Sequence, residues 1–168
     1  MTALHLKQIS STNKGILYSV TQYNNGLSSQ VTLTIQNTKT LFGLEIRYNK
    51  KYFKWVINPA EYKAIRDLEQ KLQILFKDYS IDEIRSKIIE RPNYPNLLET
   101  SIPSMGYCSN DIIKHSPGVI TSYSDISKLN RYDILVQLVN VSIQTRNSKK
   151  ILYYNLEIIN IKDCVNSI

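Results

Sequence analysis

The sequence has few of the residues that build covalent frameworks, metal sites or phosphate loops. Its 168 residues include two cysteines, two histidines and five glycines. Cys108 and Cys164 are too few and too far apart for a disulfide framework or a zinc site, so we expect reduced thiols. His5 and His115 have no metal-ligand spacing, and no glycine-rich phosphate loop occurs. The sequence therefore predicts a non-catalytic protein with no cofactor and no metal.

Long apolar runs are also absent. No uninterrupted apolar stretch reaches about eighteen residues, so no transmembrane helix and no membrane partner are expected. The first ten residues include His5 and Lys7 and lack the apolar core of a secretory signal. With 42% apolar and 21% charged residues, we expect residues 1–168 to form a single globular domain. Together with the reduced thiols, this predicts an intracellular protein of the cytoplasm or nucleus of a host cell.

Acidic residues are scarce in the first third of the chain. The formal net charge is +7, and residues 1–57 contain seven Lys or Arg against a single acid, Glu45. Residues 58–90 are nearly balanced, with six basic and seven acidic residues. The positive excess is therefore local, and it coincides with a segment where Tyr52 and Trp55 alternate with lysines. Basic groups beside aromatics on a sheet are typical of a platform for single-stranded nucleic acid.

Strand patterns fill the same third of the chain. Residues 3–9 and 16–23 are strand candidates, followed by a turn at 24–26. Val31, Leu33 and Ile35 alternate with threonines, the pattern of a half-buried strand. A loop at 37–40 and a turn at Asn49-Lys50 give one register that places nine apolar residues of three strands on the same face. That register pairs Ile35 with Phe42, Leu33 with Leu44, Val31 with Ile46, Ile46 with Phe53, Leu44 with Trp55, and Phe42 with Ile57.

The strands give way to helical patterns. Asn58 suits an N-cap, Pro59 suits the first helical position, and Glu61 completes a capping box. An apolar stripe at helical spacing follows, extending to Tyr79. Residues 80–88 predict a second, shorter helix, and residues 91–130 a long loop-rich insertion.

A second hairpin is predicted near the C-terminus. Residues 139–143 and 152–158 alternate, and Asn147-Ser148 suits the turn between them. This register places Ile143 opposite Leu152, Val141 opposite Tyr154, and Val139 opposite Leu156. The other face of the hairpin then carries Tyr153.

From residue 30 to 162 the element order is strand, strand, strand, helix, strand, strand, which resembles the OB-fold. The resemblance implies an α+β, mainly β protein built on a five-stranded antiparallel barrel, with its helix between strands three and four. It also implies that oligonucleotides lie across residues 47–54 and are held by the loops at 37–39 and 146–150. The N-terminal strands either extend the barrel or pair with another subunit, which leaves a homo-oligomer open.

A second resemblance covers less of the chain. Consecutive strands running into Asn58-Pro59-Ala60-Glu61-Tyr62 resemble the strand-strand-strand-strand-helix unit of Whirly-type proteins and related single-stranded-DNA-binding transcriptional coactivators. Both resemblances imply the same class of ligand.

These patterns predict a protein that binds single-stranded nucleic acid, with DNA favoured and with little sequence specificity, during replication or transcription of a viral or plasmid genome. Backbone charge is neutralised by basic residues, and bases stack on tyrosines. The predicted basic residues are Lys39, Arg47, Lys50, Lys51, Lys54, Arg146, Lys149 and Lys150. The predicted stacking residues are Tyr52 and Tyr153.

Simpler interpretations remain open for each of these residues. The lysines at the two hairpin tips are also typical of solvated surface, and Tyr52 and Tyr153 of cross-strand pairs. Glu45 is either a nuclease-type metal ligand or, as we favour, the charge partner of Lys54. The competing function is a protein-interaction or structural module of a virus that uses residues 91–130 as its contact surface. Scattered basic residues would favour that module.

Overall fold

A computed structural model describes residues 3–12, 15–47, 50–102 and 126–164 of the chain. In this part of the protein, ten strands form one sheet and a single α-helix follows the fifth strand. No helix there is long and apolar enough to span a bilayer. The elements are β1 (Ala3–Thr12), β2 (Gly15–Asn24), β3 (Leu27–Thr38), β4 (Glu45–Arg47), β5 (Lys50–Val56), α1 (Pro59–Leu75), β6 (Glu83–Arg85), β7 (Ile88–Ile89), β8 (Leu97–Ser101), β9 (Tyr132–Arg146) and β10 (Lys149–Asp163).

The long hairpin of β9 and β10 forms the centre of the sheet. On one side, β9 pairs antiparallel with β3 and with the first residues of β2, and β1 follows beyond β2. On the other side, β10 pairs in parallel with β6 and β8. β5 then pairs with β8, and β4 with β5. The N-terminal strands therefore extend the sheet of their own chain.

The prediction of a five-stranded OB-like barrel is wrong. The chain is mostly β, but its described strands form a mixed sheet that does not close, with β1 and β4 at its two ends. The barrel does not form because β3 pairs with a different strand from the one predicted. Val31, Leu33 and Ile35 pair with β9, opposite Leu138, Val136 and Ile134, and not with residues 42–46.

The register predicted for β4 and β5 is also wrong, by two residues. Ile46 lies opposite Lys51 and not opposite Phe53. Because β3 pairs elsewhere, β4 has only β5 beside it among the described strands, and Phe42, Leu44 and Ile46 are 50%, 38% and 64% exposed. Phe53 and Trp55, in contrast, are fully buried, which confirms the prediction that Trp55 belongs to the core.

The predicted start of the helix is confirmed. The Glu61 N–H donates to Asn58 Oδ1 at 2.7 Å, and the Asn58 N–H donates to Glu61 Oε1 at 2.9 Å, a complete capping box. The other carboxylate oxygen of Glu61 accepts the Gln36 N–H at 2.9 Å, which ties the helix to the end of β3. Ile65 and Leu72 bury the apolar stripe of α1 against the sheet.

The second helix, predicted over residues 80–88, is wrong. Ser80 has a left-handed backbone with φ of 56°, and the chain then forms the short strands β6 and β7. The Asp82 N–H donates to the Lys150 carbonyl at 2.9 Å, and the Lys150 N–H donates back to the Asp82 carboxylate at 2.7 Å. This segment therefore forms a strand that pairs with the edge of β10. Within residues 91–130, the structure forms β8, whereas residues 103–125 lie outside the described residues.

The β9–β10 hairpin follows its predicted register near the turn and departs from it further away. Ile143 lies opposite Leu152 and Val141 opposite Tyr154, as expected. Asn147 and Ser148 both have positive φ, as a two-residue type I′ turn requires. The predicted pair of Val139 and Leu156 is wrong, because the register shifts there and Leu156 lies opposite Leu138.

The sheet has two unlike faces. The helix face, which carries Trp55, Leu98 and Tyr154, packs against α1 and forms the core. Strand alternation directs the other face away from α1, and we call it the outer face. On β5, β8 and β10 the outer face carries Tyr52, Lys54, Glu99, Ser101, Tyr153, Asn155 and Glu157.

Candidate nucleic-acid interface

Four of the predicted binding residues lie together on the outer face of β4 and β5. Arg47 is paired with Lys50, and alternation along β5 places Tyr52 and Lys54 on the same side. Lys50 is exposed, whereas Tyr52 and Lys54 are half-buried. The hairpin therefore presents three cations and one aromatic ring side by side.

Tyr153 belongs to the same face, although it lies three strands away from β4. Pairing across the sheet connects Tyr52 to Ser101 and Ser101 to Glu157, and Glu157 is on the same side of β10 as Tyr153. Two guanidinium groups lie beside its ring, with Arg146 Cζ at 5.5 Å and Arg85 Cζ at 5.7 Å from the centroid. We call this set of residues the outer patch. It consists of Arg47, Lys50, Tyr52, Lys54, Arg85, Lys87, Arg146 and Tyr153.

Acidic side chains balance part of this positive charge. Arg47 lies over the Tyr52 ring, 4.5 Å from its centroid, and its guanidinium contacts Glu99 at 2.7 Å. The predicted ion pair of Lys54 and Glu45 is present at 3.1 Å, across a diagonal of the β4–β5 pair. Such partly exposed pairs are worth little in free energy, so separating either pair costs the protein little stability.

Sequence reasoning missed Arg85 and Lys87, which also belong to the outer patch. Lys87 Nζ lies 3.9 Å from the Glu99 carboxylate. Burial lowers the pKa of Lys87, and the positive charges of Arg47 and Lys50 lower it further, whereas Glu99 raises it. The ammonium group of Lys87 therefore lies near two other positive charges, those of Arg47 and Lys50. The alternation of Glu83, Ile84 and Arg85 was the available signal for a strand in this segment.

Four of the predicted basic residues do not join the patch. Lys51 is next to Lys50 in β5 and therefore projects toward the helix face. Lys150 Nζ donates to the Tyr79 carbonyl at 3.1 Å on the helix side of the hairpin tip. Lys149 shares the outer face with its pair Arg146, but it is exposed at the hairpin tip, four residues from Tyr153 along β10. Lys39 follows β3, where its carbonyl accepts the Val56 N–H at 3.0 Å.

A small cavity of about 140 Å³ opens on the outer face between the two predicted clusters. Asn155 Nδ2 donates to Asn140 Oδ1 at 3.1 Å across its floor. Burial raises the pKa of the Glu157 carboxyl at its edge, while nearby Lys50 acts in the opposite direction. The cavity is lined by Lys50, Tyr52, Ser101, Ile102, Val139, Asn140, Asn155 and Glu157.

The outer patch and its cavity combine cations, tyrosine rings and side-chain amides. Cations, tyrosine rings and side-chain amides bind anions and planar polar groups through charge, stacking and hydrogen bonds. Within the described ranges, no three His, Cys, Asp or Glu side chains come close enough to hold a metal ion.

No protein-family model matches this chain, and no curated protein or solved structure matches it. The resemblance to OB-fold and Whirly-type proteins therefore stays a prediction, and no relative supplies a function. What can be inferred about function comes from the outer patch.

Proposed function

We propose that the protein binds single-stranded nucleic acid across the outer patch without catalysing a reaction. One observation carries this proposal. Tyr52 and Tyr153 lie on the same face of the sheet, and each has a guanidinium group beside its ring. Single strands need both features, because their backbone is anionic and their unpaired bases have free faces for stacking.

The proposed contacts divide between charge and stacking. Lys50, exposed and without an ion pair among the described residues, meets a phosphate directly. Arg47 and Lys54 exchange their carboxylate partners for phosphates, which is possible because these pairs are partly exposed to water. Bases stack on Tyr153 and on the Arg47 guanidinium that covers Tyr52, since both kinds of planar group stack with bases.

Two adjacent lysines offer a matched test. We expect labelled single-stranded DNA or RNA to bind with a log affinity that falls linearly with log salt, by about 0.7 per phosphate neutralised. Lys50→Ala should weaken binding and flatten that slope by about 0.7, because it removes one phosphate contact. Lys51→Ala removes the same charge from the other side of β5 and should leave the slope unchanged. Fluorescence anisotropy over a salt series measures both.

The same measurement also has outcomes that contradict the proposal. Duplex DNA of equal length should bind more weakly than single strands, because its bases are not free to stack on tyrosines. Equal binding of single strands and duplex at low salt, or no binding of either, would overturn the proposal. Equal effects of Lys50→Ala and Lys51→Ala would remove the outer patch as the binding surface.

A second candidate is a protein-interaction module, favoured by the exposed apolar side chains around β4. No strand lies beside the outer edge of β4 in the part of the chain that the structure describes. A second copy of the chain fits this edge, because an antiparallel pair centred on Ile46 places Glu45 opposite Arg47 of the partner subunit. Sedimentation velocity tests this candidate. A dimer that Ile46→Lys converts to a monomer would support it, and a monomeric parent protein would exclude it.

A further inference from the structure

The cavity between Tyr52 and Glu157 differs from the rest of the outer patch in having hydrogen-bonding groups that are not used. Asn140 and Asn155 share one hydrogen bond, which leaves the amide nitrogen of Asn140 and the carbonyl oxygen of Asn155 without a partner in the described residues. Neither carboxylate oxygen of Glu157 accepts a hydrogen bond from a described residue. These half-buried groups are therefore arranged to receive a polar ligand.

The size of the cavity limits that ligand to a single small ring system. At about 140 Å³ it is smaller than the roughly 300–1,000 Å³ of pockets that hold drug-sized molecules. Its walls include the Tyr52 ring, and Ile102 and Val139 add apolar surface. A flat ligand with polar edges suits this combination, and the bases of a single strand are such groups.

The charges at the edge of the cavity discriminate among the bases. An ionised carboxylate only accepts hydrogen bonds, so Glu157 requires donors from the ligand. Guanine has two adjacent donors on its Watson–Crick edge, at N1 and at the 2-amino group. Adenine and cytosine each place an acceptor beside their amino group, and thymine and uracil place carbonyl oxygens on both sides of their N–H. Each of these bases therefore offers the carboxylate one donor group, whereas guanine offers two.

On a strand that places guanine in the cavity, Lys50 contacts the other edge of that base instead of a phosphate, so the salt-slope test of Lys50→Ala applies to strands without guanine. Guanine carries the O6 and N7 acceptors on that edge, and a lysine facing them is a common specific contact in nucleic-acid recognition. Lys50 and Glu157 line the cavity together and are close enough that the ammonium influences the carboxyl. An acceptor and a donor therefore line one small cavity, and guanine has both a donor edge and an acceptor edge to match them.

We propose that this cavity holds one guanine base of the bound strand, between Glu157 and Lys50, an inference that rests on the proposed function. It replaces the sequence-based expectation of little specificity with a preference at one nucleotide position. The remaining bases stack without regard to their identity.

The test uses labelled oligothymidine of fixed length with one central nucleotide replaced. We expect the strand with one dG to bind about tenfold more tightly than strands with dA or dC, the discrimination of one good bidentate contact. Deoxyinosine lacks the 2-amino group and should lose most of the preference. An equivalent RNA series shows whether the guanine is read equally in both kinds of strand.

Two matched variants test whether Glu157 is responsible for the preference for guanine. Glu157→Gln should abolish it, because an amide offers one acceptor in place of two. Glu83→Gln removes the same charge from the outer face of β6, outside the cavity lining, and should leave the preference unchanged. A preference that survives Glu157→Gln would overturn the assignment.

The results also separate this inference from the function on which it rests. Equal binding of dG, dA and dC strands, with a normal salt dependence, would overturn the guanine cavity and leave the proposed function standing. No binding of any strand at low salt would overturn both.

Discussion

The two faces of the sheet differ in the residues that the same strands supply to them: core residues on the helix face, and charged or polar residues of the proposed binding site on the outer face. On β5, Trp55 is fully buried on the helix face, and its neighbour Lys54 lies on the outer face in an ion pair. On β10, Tyr154 is fully buried and its neighbour Tyr153 lies on the outer face with two guanidinium groups near its ring. Residues that are adjacent in sequence are therefore divided between stability and the proposed binding.

The polar groups of the two faces differ in the same way. On the helix face, the Tyr154 hydroxyl donates to Glu69 Oε2 at 2.6 Å and accepts the Lys87 N–H at 2.9 Å. Burial and the Glu69 carboxylate raise the pKa of Tyr154, so the hydroxyl stays protonated and keeps donating. The outer-face cavity, in contrast, has hydrogen-bonding capacity left over. Satisfied polar groups fix a fold, and unsatisfied ones at a surface are available for a ligand.

The largest expected loss of stability comes from a substitution on the helix face of β5. Trp55→Ala removes a fully buried ring and the hydrogen bond from Trp55 Nε1 to Thr100 Oγ1 at 2.8 Å. We expect a loss of about 3–5 kcal/mol in the free energy of unfolding. Lys54→Ala, one residue away on the outer face, should cost about 1 kcal/mol or less. Urea denaturation followed by circular dichroism measures both, and similar losses would contradict the division of β5 between the two faces.

The next largest effects should distinguish the two adjacent tyrosines of β10, which lie on opposite faces of the sheet. Tyr154→Phe leaves the buried Glu69 carboxylate without its hydroxyl donor, and we expect it to cost about 1–3 kcal/mol of stability. Tyr153→Ala should instead cost roughly 1–3 kcal/mol of single-strand binding with an unchanged salt slope, because it removes a stacking surface and no charge. Thermal melting and anisotropy of both variants give the comparison. A binding defect in a Tyr154→Phe variant that remains folded would mean that the two faces are not independent.

Local signals in the sequence were sufficient for some elements of the fold. The capping box at Asn58 and the turn at Asn147-Ser148 depend on neighbouring residues, and both are present as predicted. The alternation of Val31, Leu33 and Ile35 correctly indicated a strand. It could not indicate the partner, because alternation determines which face a side chain occupies and β9 lies about a hundred residues further along the chain.

The candidate site was predictable to a similar extent. Arg47, Tyr52 and Lys54 belong to one hairpin, so the sequence was enough to place them on one face. Tyr153 joins them only through β8, which carries Leu97 and Leu98 in succession and shows no alternation that would mark it as a strand. The cavity itself depends on the register shift near Val139, which no local pattern indicated.

The smallest expected effect is the loss of folding stability that comes from ionising the Glu157 carboxyl in its half-buried position. Burial raises the pKa of Glu157 in the folded state, so the folded protein holds this proton more tightly than the unfolded chain does. The stability from that difference is fully present below the unfolded pKa, about 4.3, and is lost as the pH rises through the raised folded value. Glu157→Gln cannot ionise and avoids this loss.

We therefore expect Glu157→Gln to melt at a higher temperature than the parent protein at pH 7, with a gain that shrinks as the pH approaches 4. Glu83→Gln is the control, because Glu83 is exposed and paired with Arg85, and it should give no gain that depends on pH in this way. Differential scanning calorimetry between pH 4 and 7 measures both variants. A gain at pH 7 together with a lost guanine preference would show that the same half-buried carboxylate weakens the fold and selects the base. A charge that costs stability is retained where a ligand binds to it.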